Sequence, residues 1–98
     1  MLPAALGSPS VALVVRCKRS HRGVDLVTSG AIAGTFSFDT VAGAELEMGD
    51  WFDANLGGGR LVEIRTGSRL VGVAEKAPMA RAVFARALRL LADGTMGR

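Results

Sequence analysis

The chain is poor in the residues that most often mark a specific chemistry. Its 98 residues include one cysteine, one histidine, one tryptophan and no tyrosine. A single cysteine excludes an internal disulfide, and Cys17 with His21 alone makes a poor zinc site. The carboxylates between positions 45 and 53 lack the spacing of a calcium loop. We therefore expect no metal and no cofactor, and we predict that the protein is not an enzyme.

The sequence also lacks long apolar runs. None approaches the ~18 to 20 residues of a membrane-spanning helix, and the first ten residues lack the basic start of a signal peptide. These absences predict a cytoplasmic protein with no membrane span. Two of the three prolines fall in residues 1–10, which we interpret as a flexible N-terminal arm. We interpret residues 11–98 as a single β-rich domain, because a chain of this length has room for one core.

Hydrophobic residues are present in excess. They make up 49% of the composition, and the mean hydropathy is +0.32. A small domain has a large surface for its volume, so this excess indicates that a second copy or another protein covers part of that surface. The net charge of +3 is mild, and it permits an anionic partner without requiring one.

Alternation of apolar and polar residues predicts a series of short strands. The predicted strands are 11–18, 24–28, 31–39 and 45–56, the last of them bent in its middle. In the third strand, Ile32, Phe36 and Phe38 are predicted to share the apolar side. A short helix over 41–48 competes with the start of the fourth strand.

Two further strands, 60–66 and 69–76, flank the dipeptide Gly67-Ser68, which is typical of a two-residue hairpin turn. Such a turn fixes the register, so that Ile64 faces Val71 and Val62 faces Val73. This face is predicted to pack inward. The opposite face of the hairpin is mixed and carries Leu61, Glu63, Arg65, Leu70 and Ala74.

Residues 78–93 are predicted to form one amphipathic helix. Pro78 suits the first turn, and Gly94 suits the position after the last. The resulting fold class is α+β, with an antiparallel, curled sheet of five or six strands and this single C-terminal helix packed on it. The sheet is either a meander or a partial barrel.

Four apolar side chains are candidates for contact with another subunit or a protein partner: Trp51, Met79, Leu88 and Leu90. Strict alternation places Trp51 on the polar side of its strand, where it would be an interface anchor. A register shift at Gly49-Asp50 would instead return Trp51 to the core, and the sequence leaves both readings open.

Basic residues cluster before the second strand and along the helix. The candidates for contact with an anion are Arg16, Lys18, Arg19, Arg22, Arg81, Arg86 and Arg89. Nucleic-acid platforms usually interleave aromatic residues with basic ones, and the basic segment 16–22 contains no phenylalanine, tryptophan or tyrosine. Anion or nucleic-acid binding is therefore an alternative rather than the leading interpretation.

The leading interpretation is a small non-catalytic module that self-associates or docks on a protein partner. It is based on the apolar excess and on the lack of a catalytic constellation. A pocket between sheet and helix, serving a small ligand or an enzymatic reaction, is a further alternative. Cys17 and His21 are not predicted to form a catalytic pair, because Cys17 alternates inward while His21 falls in a basic loop.

Overall fold

The computed structural model describes residues 11–18 and 21–92. Its elements are β1 (Val11–Lys18), β2 (His21–Thr28), β3 (Ala31–Ser37), α1 (Val41–Asn55), β4 (Val62–Thr66), β5 (Arg69–Ala74) and α2 (Ala77–Ala92). The arm predicted over 1–10 lies outside the described residues. Within the described part of the chain, neither helix is long and apolar enough to cross a bilayer.

The five strands form one mixed sheet in the order β3-β2-β1-β4-β5. β1, β2 and β3 are an antiparallel meander, and β4 and β5 are an antiparallel hairpin. β1 and β4 are parallel. The predicted all-antiparallel meander is therefore wrong. The reason is that α1 carries the chain across the sheet between β3 and β4, and parallel neighbours require such a crossover.

The prediction of a single helix is also wrong, because 41–55 is helical. Thr40 caps α1, and its Oγ1 accepts a hydrogen bond from the backbone N–H of Gly43 at 2.9 Å. Ala44, Met48 and Phe52 follow at intervals of four and are all buried. The strand predicted over 45–56 is wrong. The competing prediction of a helix over 41–48 has the right type and the right start, and it ends about two turns before the helix does.

Both helices pack on the same face of the sheet, so the molecule has two layers. Phe52 of α1 and Phe84 of α2 meet edge to face, with ring centroids 6.1 Å apart. Both rings are fully buried. The buried strand residues that share this core are Val11, Leu13, Val15, Val24, Val62, Ile64 and Ala74.

The register of the β4–β5 hairpin changes partway along. Next to the predicted turn, Arg65 pairs with Leu70 as expected, but one extra residue, Val71, then enters β5. Gly72 therefore faces Ile64, and the predicted pairing of Ile64 with Val71 is wrong. A glycine fits at this position, because a Cβ on Gly72 would lie 2.8 Å from a methyl of Val83 in α2.

The other edge strand, β3, also contains a bulge. Leu26 pairs with Gly34 and Val27 pairs with Ile32, which leaves Ala33 as the extra residue. The bulge turns Ile32 away from the helices, and this side chain is 61% exposed. The prediction that Ile32 shares the apolar side of Phe36 and Phe38, which pack against the core, is therefore wrong.

Candidate interaction surface

The sheet face opposite the helices, called here the open face, is covered by no other described element. Residues from all five strands lie side by side across it. The register gives one row of cross-strand neighbours in the order Ile32, Val27, Ala12, Glu63 and Val73. The next row contains Thr35, Asp25, Val14, Arg65 and Leu70. Apolar residues thus reach both outer strands and the central one.

Large apolar side chains on the open face are solvent-exposed. Ile32 is 61% exposed, Leu70 and Val73 are each 45% exposed, and Leu61, which precedes β4, is 39% exposed. By alternation along the strand, Leu61 shares the side of Glu63.

Ile32 lies on one edge strand and Leu70 and Val73 on the other, with half-buried Val14 and Val27 between them. Exposed apolar surface that extends over several strands marks an interaction site more often than a single exposed residue does.

A buried carboxylate lies among these apolar residues. Asp25 is 6% exposed, although its strand face has no helix over it. Arg16 Nε donates to Asp25 Oδ2 at 2.6 Å, and Thr35 Oγ1 donates to Asp25 Oδ1 at 3.0 Å. Both carboxylate oxygens are therefore satisfied by side chains from the two neighbouring strands, which ties β1, β2 and β3 together on this face.

A second ion pair lies on the other half of the open face. Arg65 Nε donates to Glu63 Oε1 at 3.1 Å, and Arg65 Nη1 donates to the backbone carbonyl of Ser68 at 3.0 Å. Both charged side chains are about one-third exposed. With Arg16 and Asp25, the described side chains of the face thus include two acidic and two basic groups that pair within the chain.

The helical layer has a separate feature where α1 and α2 meet. Arg81 donates from Nη1 to Asp53 Oδ1 at 3.0 Å and from Nη2 to Asp53 Oδ2 at 2.7 Å. Its Nη2 also donates to the backbone carbonyl of Gly49 at 3.2 Å. Gly49 leaves room for this side chain, because a Cβ there would lie 2.9 Å from Arg81 Nε. This hydrogen-bonded pair lowers the pKa of Asp53 and raises the pKa of Arg81, with a further contribution from Asp50 to the latter.

Beside this pair lies a cleft, called here the interhelical groove, of about 530 Å³. Its lining residues are Ala42, Glu45, Leu46, Gly49, Asp50, Phe52, Arg81, Ala82 and Phe84. The groove lies between the two helices, whereas the sequence suggested a pocket between sheet and helix.

The predicted interface residues do not gather on one surface. Trp51 lies on α1, is half-buried, packs against the core and meets Phe52 edge to face at 5.9 Å. Met79 is 56% exposed at the start of α2, and Leu90 is half-buried. Leu88 is 5% exposed and belongs to the core of this subunit, which leaves little of it for a partner.

The basic residues predicted to contact an anion are also dispersed. Arg16 is bonded to Asp25 on the open face, and Arg81 is bonded to Asp53 in the helical layer. Arg22 Nη1 donates to the backbone carbonyl of Asp39 at 3.3 Å. Arg86 and Arg89 are exposed on α2. Arg19 and the side chains of Cys17, Lys18 and His21 lie outside the described residues.

The sequence-based candidates missed the open face. Part of the open face corresponds to the mixed side of the predicted hairpin, where Leu61 and Leu70 alternate with charged residues. That mixture is typical of solvated strands, so it gave no reason to favour this side. Ile32 was assigned to the core because the bulge at Ala33 cannot be seen in the alternation.

Comparison with known protein families, with curated proteins and with solved structures finds no significant match to this chain. Across residues 11–18 and 21–92, no three histidine, cysteine or carboxylate side chains lie close enough together to hold a metal ion.

Proposed function

We propose that this protein is a non-catalytic module that self-associates, with the open face of one copy packed on the open face of another. The observation that supports this most directly is the exposure of Ile32, Leu70 and Val73 on a sheet face that no described element covers. Sheets that stack face to face bury such side chains between layers about 10 Å apart.

The size of the open face is compatible with a weak dimer. Five strands about 4.8 Å apart, each of five to eight residues rising about 3.3 Å per residue, give a face of roughly 24 by 20 Å. Two such faces in contact bury about 1,000 Å², which is the lower bound of a specific interface. We therefore expect the dimer to have a Kd in the micromolar range.

The charges of the open face favour a second copy over a strongly charged partner. Asp25 is bonded to Arg16, and Glu63 is bonded to Arg65, so neither sign is in excess among the described side chains of this face. Two identical faces can then approach without net repulsion. A face meeting its own copy must satisfy this condition, because a symmetric dimer places the same patch on both sides of the contact.

The edges of the sheet are less suitable for association than its face. Both edge strands contain a bulge, at Ala33 in β3 and at Val71 in β5. A bulge bends the strand and interrupts its row of backbone groups, which opposes the addition of a strand from another chain. This favours contact through side chains on the open face over pairing along β3 or β5.

Sedimentation velocity of the full chain tests the proposal over about 1 to 200 µM, a range that brackets a micromolar Kd. The expected result is a concentration-dependent shift from the 10.2 kDa monomer to a dimer of twice that mass. A chain that stays monomeric throughout would contradict the proposal.

Two variants locate the contact. Ile32→Asp and Val73→Asp place a charge at exposed positions of the open face, and each is expected to abolish the dimer. Met79→Asp, at 56% exposure on α2, is the matched control and is expected to leave the dimer unchanged. Circular dichroism checks that all three variants remain folded. Dissociation by Met79→Asp alone would move the interface to the helical layer.

A further inference from the structure

The interhelical groove lies on the opposite side of the molecule from the open face and has a different charge. Glu45 and Asp50 line it with two carboxylates, against the single guanidinium of Arg81, which is paired with Asp53 beside the groove. Arg81 is already engaged by both oxygens of Asp53 and by the carbonyl of Gly49. The groove is therefore net negative.

Both carboxylates that line the groove remain available to a ligand. Glu45 and Asp50 are exposed, and neither makes a hydrogen bond or ion pair with another described residue. Asp50 acts on Arg81 only at longer range, where it contributes to the raised pKa of the guanidinium. Cationic groups placed in the groove would reach these carboxylates without displacing a hydrogen bond or an ion pair to another described residue.

The groove also offers apolar surface. Leu46 is 70% exposed at its side, and Ala42 and Ala82 are exposed along its walls, whereas the rings of Phe52 and Phe84 beneath it are fully buried. The side chains of Ala42 and Ala82 are short, so they leave the groove open to solvent. A volume of about 530 Å³ accommodates a few large side chains rather than a whole domain.

We propose that the interhelical groove docks a basic amphipathic helix of a protein partner. Apolar side chains of that helix, spaced three and four residues apart, pack on Leu46, Ala42 and Ala82, and its lysine or arginine residues pair with Glu45 and Asp50. Helices bind other proteins in this way when a groove offers exposed apolar side chains beside charged groups of the opposite sign.

A second copy of this chain fits the groove poorly. The apolar side of α2, with Ala80, Val83 and Ala87, is buried in its own core and cannot be offered to a neighbour. The exposed side of α1 carries Glu45 and Glu47, and the carboxylates in the groove of another copy would repel them. The groove is therefore assigned to a different protein, and this assignment does not depend on the proposed self-association.

Fluorescence anisotropy with a labelled model peptide tests the proposal. The probe is a helix of leucine and lysine with leucine at helical spacing, and its counterpart carries glutamate in place of lysine. The wild-type chain is expected to bind the lysine peptide at about 50 mM salt, less tightly at higher salt, and not to bind the glutamate peptide.

Variants that remove the same number of charges distinguish peptide binding at the groove from non-specific electrostatic attraction to the chain. Glu45→Gln combined with Asp50→Asn is expected to weaken peptide binding about three- to tenfold, the effect of losing two surface ion pairs. The control removes two exposed carboxylates outside the groove, by Glu47→Gln combined with Asp39→Asn, and is expected to leave binding within about twofold. Leu46→Ala is expected to weaken binding as well.

The proposal is overturned if the lysine peptide does not bind at low salt, if both peptides bind alike, or if the control pair weakens binding as much as the groove pair. It is also overturned if the groove pair alters the sedimentation of the chain, since the groove would then contact a second copy. The Ile32→Asp variant is expected to bind the peptide normally, which keeps the two proposals experimentally distinct.

Discussion

The two faces of the sheet are built by alternate residues of the same strands and have different surroundings. On the helix face, Leu13, Val62 and Ile64 have no exposed surface at all. On the open face, their neighbours Val14, Glu63 and Arg65 are half-buried. The helix face is completed within one copy by α1 and α2. The open face has enough apolar surface to gain from a partner and enough paired charge to remain in water without one.

The faces also treat buried polar groups differently. On the open face, Asp25 is buried and both of its oxygens are hydrogen-bonded. On the helix face, Thr66 is fully buried, and its hydroxyl has no hydrogen-bond partner among the described residues. The open face thus stabilises its polar groups by side-chain pairing, whereas the helix face depends on apolar packing.

The largest expected effect is on the helix face. Phe84→Ala removes a fully buried ring that meets Phe52, and we expect a loss of about 3–5 kcal/mol in the free energy of unfolding. Val73→Ala on the open face is the comparison, with an expected change of about 0.5 kcal/mol or less. Urea unfolding at a concentration that keeps the chain monomeric measures both. Equal losses would show that the two faces do not differ in packing.

The second effect concerns the buried carboxylate of the open face. Asp25→Ala is expected to cost about 1–2 kcal/mol, because it leaves Arg16 and Thr35 without their acceptor, while the partial exposure of Arg16 limits the loss. The control is Asp39→Ala, at an exposed position, with an expected change near zero. A neutral Asp25→Ala would indicate that the open face does not depend on this pairing.

The third effect has the opposite sign on the two faces. Thr66→Val replaces an unsatisfied buried hydroxyl by a methyl group and is expected to raise the free energy of unfolding by about 1 kcal/mol. Thr35→Val removes the hydrogen bond to Asp25 and is expected to lower it by about 1 kcal/mol. Thermal and urea unfolding measure both, and a destabilising Thr66→Val would reveal a partner for that hydroxyl.

The smallest effect is a pH dependence assigned to the helical layer. Arg81 lowers the pKa of Asp53 below its ordinary value of 3.8, so the pair stabilises the fold above that pH and loses its contribution as the pH falls through the lowered pKa. Asp53→Asn is therefore expected to be slightly less stable than wild type at neutral pH and equal to it in strong acid. Urea unfolding across this range measures the difference, and Asp50→Asn, with no direct bond to Arg81, is the control.

Local signals in the sequence predicted much of the fold. The first strand over 11–18, the turn at Gly67-Ser68 and the helix over 78–93 are confirmed, the helix to within one residue at its start. Each depends on residues that are adjacent in sequence. α1 was missed because Leu46 and Met48 alternate as in a strand, while the helical spacing of Ala44, Met48 and Phe52 competes with that pattern.

The open face was less predictable because it depends on contacts between distant segments. Which side of the sheet is covered follows from the crossover of α1 between β3 and β4. The bulge at Val71 lies next to Gly72, where Val83 of α2 approaches the sheet closely. Neither contact leaves a periodic trace in the sequence, so alternation alone could define two faces without saying which one faces solvent.

The parallel pairing of β1 with β4 has a consequence for how the chain folds. Val11 pairs with Val62, so the central seam of the sheet joins two segments separated by the β2–β3 hairpin and all of α1. The meander and the β4–β5–α2 unit each consist of neighbours in sequence and can form early, whereas closing the seam requires a long loop to be ordered first. We therefore expect seam closure to be the slow step of folding. Until it occurs, Leu13 and Ile64 are both open to solvent, and the nascent chain is most prone to aggregate.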